Sequence, residues 1–313
     1  MDELRGHAAT WRFDSEKVVI HYDSRWRTHP LLKILAHCEI PVAAIASVDF
    51  VAGQKKGWRL RLRLRERADP YAAVGALLPE KGQPFLLTGR PDTELVAEYQ
   101  ADQLRLAVEA AHGSGPLPPA ETFALGLVPS LPLHLQTEEG TAVFDGRTVR
   151  LGWSDDASVR KIKQRRMEYG LADIRRVDWV PEGPGADNGY LRIVTREVEA
   201  GAKPFKPTKD FACLTTESGK EEAWALVMAA TVTAHLWVAP DQPVERPQLT
   251  AAPQDASPGQ TVPGQDGSPG RTVPAQDSAT VYDLIRELGR LHAEGLLTDE
   301  EFTAKKAELL ARL

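Results

Sequence analysis

The stretch Ile45-Ala46-Ser47-Val48-Asp49-Phe50-Val51 returns as Ile174-Arg175-Arg176-Val177-Asp178-Trp179-Val180, and that return sets the register in which the whole chain is read. Upstream, Glu39 to Ala43 (E-I-P-V-A) lines up with Glu168 to Ala172 (E-Y-G-L-A), and Phe13-Asp14 followed by Val18 lines up with Phe144-Asp145 followed by Val149. Downstream, Gly57-Trp58 ahead of Leu60-Arg61-Leu62 corresponds to Gly189-Tyr190 ahead of Leu191-Arg192-Ile193, and both runs close on Arg-Glu. One unit of roughly 110 residues, an ordinary size for a domain, therefore occurs twice.

Composition agrees with that division. A chain of 313 residues is long enough for two cores, and 42% hydrophobic with 26% charged residues is the balance of a globular protein. The longest apolar run, Ala223 to Val232, is far short of the roughly 20 residues that span a bilayer. Met1-Asp2-Glu3-Leu4-Arg5 is acidic where a secretory signal is basic and then apolar, which predicts a cytoplasmic protein. Cys38 and Cys213 fall at non-equivalent positions of the two copies, so reduced, packed thiols are expected and a conserved bridge is not. His29, His37 and Cys38 come nearest to a metal spacing, but no second cluster completes a tetrahedral set, so no metal or other cofactor is expected.

Thr10 to Tyr22 alternates apolar and polar residues across Asp14-Ser15-Glu16, a β-hairpin pattern, and Asp145-Gly146-Arg147 supplies the bend of the second copy. The copies then diverge. Ser24 to His37 carries Trp26 and Leu31-Leu32, whereas Ser154 to Met167 carries Arg160-Lys161-Ile162-Lys163-Gln164-Arg165-Arg166. If the copies have separate ligands, this segment is where the difference lies. The strand Trp58 to Arg65 alternates without a fault, sending leucines to a core and Arg59, Arg61, Arg63 and Arg65 to the opposite face. Each copy ends on a helix. The first is capped by Asp92, with Leu95, Tyr99, Leu106 and Ala110 at helical spacing and Gly113 as its stop; the second opens with a Ser218/Glu221 capping box.

The predicted fold class is thus α+β: two tandem units, residues 1–113 and 134–239, each a bent antiparallel sheet closed by a C-terminal helix. A proline-rich connector, 114–133, joins them, with Leu131 to Leu135 able to add a strand to the second. Residues 240–278 are poor in large apolar side chains and contain a near-exact repeat, Ser257 to Gly267 and Ser268 to Ser278, so they read as a disordered tether. Residues 279–313 order again as a helical hairpin. Thr280/Asp283 and Thr298/Glu301 open its helices, Gly295 divides them, and at this size a single core rarely suffices, so a partner surface is expected.

The tail sequence Leu288-Gly-Arg-Leu-His-Ala-Glu-Gly295-Leu-Leu-Thr298-Asp-Glu-Glu301-Phe302-Thr-Ala-Lys305-Lys306-Ala-Glu-Leu309-Leu310 resembles the bacterial short C-terminal domain called SHOCT. The duplicated part, with its F-D-G turn and its I-x-x-V-D motif ahead of a Gly-led strand, resembles a bacterial family of unknown function built from two pleckstrin-homology-like (PH-like) repeats, over roughly residues 5 to 237. That resemblance implies a bent seven-stranded barrel closed by a helix. Neither family brings established catalytic or binding residues.

For chemistry, the chain has no nucleophile elbow, phosphate loop, HExxH helix or dinucleotide fingerprint, and it reads as a non-enzyme. Asp49 and Asp178 are equivalent residues of two separate units, expected to accept turn hydrogen bonds rather than to form a catalytic pair. Trp58, Trp179 and Tyr190 read as core. From Ser24 to Arg67 ten Lys/Arg stand against three Asp/Glu, while the whole chain carries −6. Arg59, Arg61, Arg63 and Arg65 are therefore candidate anion-binding residues, for lipid headgroups at a membrane periphery or, less readily at a pI of 5.8, for nucleic acid. A solvated strand face paired with neighbouring acids is the plain alternative. The leading expectation is an adaptor or scaffold: the tandem units bind a protein or peptide, and the tail associates with itself or a partner through Leu284, Leu288, Leu291, Phe302 and Leu309.

Overall fold

The computed structural model describes residues 2–53, 57–183, 188–197, 206–217 and 219–239. The expected tether, the hairpin tail with its five association residues, and Ser218 of the expected capping box lie outside the described residues.

In the first repeat, β1 (Asp2–Arg5), β2 (Ala9–Phe13), β3 (Lys17–Tyr22) and β4 (His37–Pro41) form one antiparallel sheet in that order. The turn between β2 and β3 forms because the Asp14 carboxylate accepts the Glu16 and Lys17 amides at 2.9 and 3.0 Å, which sets the register Phe13↔Val18. After Pro41 the chain passes through a short 3-10 turn, Val42–Ala44, and enters a second sheet of β5 (Ile45–Val51), β6 (Trp58–Leu64) and β7 (Leu86–Gly89). Two short helices decorate it. In α1 (Pro30–Leu35) the N-cap His29 accepts the Leu31 amide; in α2 (Pro70–Val74) the N-cap Asp69 accepts the Ala72 amide at 2.9 Å, and both helices place Pro at the first position. A long helix, α3 (Glu94–Gly113), closes the repeat.

The connector carries a short helix, α4 (Glu121–Ala124), and ends in β8 (Leu133–Gln136), so the strand expected near Leu131 to Leu135 does join the second copy. There the pattern recurs: β8, β9 (Gly140–Phe144), β10 (Thr148–Trp153) and β11 (Arg166–Gly170) in one sheet; α5 (Val159–Gln164); then β12 (Ile174–Val180), β13 (Gly189–Thr195) and β14 (Cys213–Thr216) in the other. Helix α6 (Lys220–Val238) closes it. The duplication extends to detail. Asp145 accepts the Arg147 and Thr148 amides as Asp14 does, both β5 and β12 shift register one residue after their first, and α1 and α5 both end on a residue at positive φ, Ala36 and Arg165.

Three expectations are corrected. In each repeat the strands divide into a four-stranded and a three-stranded sheet, and none closes on itself, because the 3-10 turn after β4 and β11 redirects the chain between the sheets. Asp92 does not cap α3; it lies in a 3-10 turn, Pro91–Thr93, and pairs with Arg90 at 3.4 Å. The match of Leu60-Arg61-Leu62 with Leu191-Arg192-Ile193 holds, but that of Gly57-Trp58 with Gly189-Tyr190 slips by one residue. Asp49 faces Arg61 and Asp178 faces Arg192, so Arg61 matches Arg192 and Trp58 stands where the second copy has Gly189.

The two closing helices meet different fates. α3 packs on β1, β5 and β6 with Ala97, Ala101, Leu104 and Val108, and leaves Leu95, Val96, Tyr99 and Leu106 exposed. α6 is apolar around its whole girth, with Ala223 and every residue from Ala225 to Ala234 buried. One side meets β8, β12 and β13 of its own repeat, and another meets α1 and α2 of the first. Arg67 of the first repeat donates to the Trp237 carbonyl at 3.1 Å in the last turn of α6, where positive charge complements the exposed carbonyls. One continuous core therefore runs through both repeats. Among the described residues no helix is long and apolar enough to cross a membrane.

Leu226 is fully buried, and its Cδ1 approaches to 3.5 Å of where a Cβ on Gly75 of the first repeat would lie. Leu226→Ala should cost about 2–5 kcal/mol. Because α6 serves both repeats, tryptophan-monitored unfolding in urea should stay a single transition at a lower midpoint. Two separated transitions in the wild type would show that the repeats do not share a core.

Candidate functional site

The two repeats differ most where the first hairpin turn meets the last strand. Matching Phe13 to Phe144 along β2 and β9 sets His7 against Glu138 and Ala8 against Glu139; the Asp23 amide donates to Ala8 O and the Ser154 amide to Glu139 O, which fixes the correspondence. In the first repeat the turn closes directly on β7, with the His7 amide donating to Thr88 O at 2.8 Å. Gly6 permits that approach, since a Cβ there would lie 2.5 Å from Leu87 and 2.6 Å from Thr88 O.

In the second repeat the same seam is bridged by side chains. α5 corresponds to α1 through their shared positive-φ end, so Lys161 takes the position of Leu32. Lys161 is fully buried and Glu139 is 7% exposed. The Lys161 ammonium donates to both Glu139 oxygens at 2.8 and 2.9 Å, to Cys213 O at 2.8 Å and to Pro207 O at 2.9 Å; Glu139 Oε2 also accepts the Thr215 amide at 2.7 Å. Three N–H bonds meet four acceptors, so this buried charge is fully hydrogen-bonded and compensated.

Beside this pair opens a cleft of about 400 Å³. Glu138, Asp156, Glu217 and Glu221 line it with Glu139, a wall of carboxylates. Glu221 is held in place, accepting the Glu138 amide at 3.0 Å and the Glu217 amide at 2.9 Å. The neighbouring Glu217 carboxyl, and after it Asp156, raise the Glu138 pKa above its ordinary value, since like charges close together disfavour ionisation. Two hydroxyls on the lining, Ser158 Oγ and Thr216 Oγ1, are buried without a hydrogen-bond partner. In the first repeat this end of the sheet is sealed. Trp58 occupies the Gly189 position, its ring lies against Gly89, the counterpart of Thr216, and its Nε1 donates to Thr93 at 3.0 Å.

The residues singled out in the sequence are not brought together. Arg59 pairs with Glu80 at 3.2 Å, Arg63 with Asp49, and Arg65 donates to the carbonyls of Ala43 and Pro118; Arg61 is half-buried across the strand pair from Asp49. Asp49 and Asp178 lie within strands and pair with Arg63 and Arg176, rather than accepting turn hydrogen bonds. Trp58 and Trp179 are buried and Tyr190 half-buried. His29 caps α1, and Cys38 and Cys213 are free and buried, which pushes the Cys38 thiol up to about 12 and raises that of Cys213 as well. The divergent segment contributes Asp156, Ala157 and Ser158 to the cleft, but Lys161 beside it hides in a basic run that reads as solvated. The signal available was correlated: an apolar pair, Ala8 and Leu32, replaced by opposite charges, Glu139 and Lys161.

Lys161→Leu alone strands the Glu139 charge and should cost about 3–5 kcal/mol. Glu139→Ala with Lys161→Leu restores the pair found in the first repeat and should regain most of that loss in urea denaturation. Equal destabilisation by the single and the double substitution would contradict the exchange.

Residues 11–105 and 142–233 match the family described as Domain of unknown function (DUF4429), and residues 283–310 match the Short C-terminal domain, SHOCT. Among curated proteins nothing matches the chain. The two matched segments are the two repeats and together exceed half of the sequence; the chain belongs to the DUF4429 family, with a SHOCT domain following the duplicated part.

Proposed function

We propose that the chain is a non-enzymatic adaptor: its tandem repeats, read as PH-like units, bind a protein or peptide, and its SHOCT tail joins it to itself or to a neighbour. The observation that carries this reading is the cleft of the second repeat, open and about 400 Å³ in volume, a size suited to a ligand group. Lys161, buried beside the cleft, has every ammonium proton engaged by Glu139 and two carbonyls, which supports a structural rather than a nucleophilic role for it. These features support a binding role for the surface. The arginine face of the first repeat supports an anion-binding role less well, because three of its four side chains already have partners.

The tail contributes through avidity. A polar tether over residues 240–278 lets the hairpin search widely, and Leu284, Leu288, Leu291, Phe302 and Leu309 supply the apolar contact. Two measurements test the proposal. Peptides selected from a display library against the full chain should lose at least about tenfold in affinity when Thr208→Trp fills the mouth of the cleft. A selection that returns no peptide, or peptides indifferent to that substitution, would sink the binding half. In sedimentation equilibrium the full chain should exceed its monomer mass, and Leu288→Asp with Leu309→Asp should return it to a monomer. A monomeric wild type that also captures no SHOCT-bearing chain would sink the other half.

A further inference from the structure

The cleft has a chemical signature that narrows its ligand, and the narrowing rests on the peptide-binding reading given above. Glu138, Asp156, Glu217 and Glu221 crowd one mouth, while the fifth lining acid, Glu139, is neutralised by Lys161. Thr216, 1% exposed, carries a hydroxyl with no partner, one of five buried side-chain polar atoms in that condition among the described residues, and Ser158 Oγ on the same lining is another. Its counterpart in the first repeat is Gly89, covered by the Trp58 ring; in the second, that ring is replaced by Gly189, and a Cβ added there would lie 2.7 Å from Thr216 Oγ1. An acceptor has thus been placed where the first repeat has an apolar plug.

We infer that this cleft is a receptor for one basic side chain of a protein ligand, an arginyl guanidinium or lysyl ammonium seated between Glu138 and Glu217, with Thr216 Oγ1 accepting one of its hydrogens. Among the described residues no group of His, Cys, Asp or Glu is placed to hold a metal ion, and the volume far exceeds a bare ion. A second groove, about 740 Å³, adjoins the cleft and shares Glu138 and Glu221 with it. This groove passes His134, Gln136 and Trp224 beside β8, the edge strand of its sheet. An extended peptide laid along that edge sends alternate side chains toward the sheet, which places one of them at the shared acids. A free polyamine has the charge but makes no use of the groove.

Glu217 and Asp156 raise the Glu138 pKa, and protonation of these acids removes the charge the cation needs, so binding weakens as pH falls. The groups that face it are Glu138 from the β8–β9 turn, Asp156 from the loop before α5, Glu217 after β14 and Glu221 on α6. The Glu139–Lys161 pair lies beneath, with His134 and Lys220 in the adjoining groove.

The test is calorimetric titration of the full chain with a nine-residue glycine–serine peptide carrying one central arginine. The same peptide with citrulline, which is isosteric and uncharged, and spermidine serve as comparisons. The arginine peptide should bind at least about tenfold more tightly than the citrulline peptide and more tightly than spermidine, and its affinity should fall as pH is lowered and the carboxylates are protonated. Thr216→Val, which removes only the unpartnered hydroxyl, should weaken binding about tenfold with the melting temperature unchanged. Glu138→Gln with Glu217→Gln should abolish binding and its pH dependence. Equal binding of the citrulline peptide, tighter binding of spermidine, or indifference to both sets of substitutions overturns the assignment. Display-selected peptides that lack basic residues yet are blocked by Thr208→Trp overturn it while leaving the peptide-binding reading intact. Failure of every peptide overturns both.

Discussion

Helix α6 presents apolar side chains in every direction, and a helix of that kind cannot stand against water on any side. Its own repeat covers only part of it through β8, β12 and β13, so the remainder must be covered by α1 and α2 of the other copy. The second repeat is therefore incomplete alone, and the pairing of the two halves follows from burial rather than from the connector between them. Arg67 at the C-terminal carbonyls of α6 and the Tyr71 hydroxyl on Leu127 O add directional bonds that choose one docking among those burial alone would accept. α3, the same element in the first repeat, meets no such partner among the described residues, and its outer face leaves Leu95, Val96, Tyr99 and Leu106 exposed.

With the halves joined this way, each copy is free of a different constraint. The first repeat, whose α1 and α2 carry the joint, keeps a seam closed by backbone, His7 to Thr88, with Trp58 sealing the end of the sheet. The second keeps the helix and relaxes the seam. Exchanging Ala8 and Leu32 for Glu139 and Lys161 puts a charged pair into the interior, where replacement by apolar residues is often neutral or stabilising. A pair of this kind contributes little net stability, but it holds the β8–β9 turn, β14 and α5 at a fixed separation, and the cleft lies beside that separation.

Most of the fold was legible because its signals are local. The alternation of Trp58 to Arg65, the Asp14 and Asp145 turns and the returned motif each depend on residues close in sequence, and hairpin strands, helices and duplication follow from them. The sheets' failure to close, the slip that sets Trp58 against Gly189 and the joining of the repeats by α6 all depend on contacts between distant segments, which no periodicity encodes. The arginines misled for the same reason. Their alternation is right, but Glu80 and the carbonyls of Ala43 and Pro118 come from other parts of the chain, and without them an engaged face resembles a free one. Lys161 misled in the opposite sense, since four other basic residues surround it between Arg160 and Arg166 and only the fold singles out the one that is buried.

The acids of the cleft are the remaining thread. Like charges gathered on one lining repel, which raises the Glu138 pKa, and in the free chain that repulsion is moderated by solvent. Glu221 cannot turn away, because its carboxylate is fixed by the amides of Glu138 and Glu217, so the arrangement is held by the backbone that carries it. A fold under no demand at this position relieves such crowding with a single amide substitution, and the first repeat shows that the surrounding framework stands without it. A concentration of one sign of charge beside an open strand edge is the arrangement that a ligand of the opposite sign would stabilise, and on the proposed reading the free chain bears that repulsion in advance of binding.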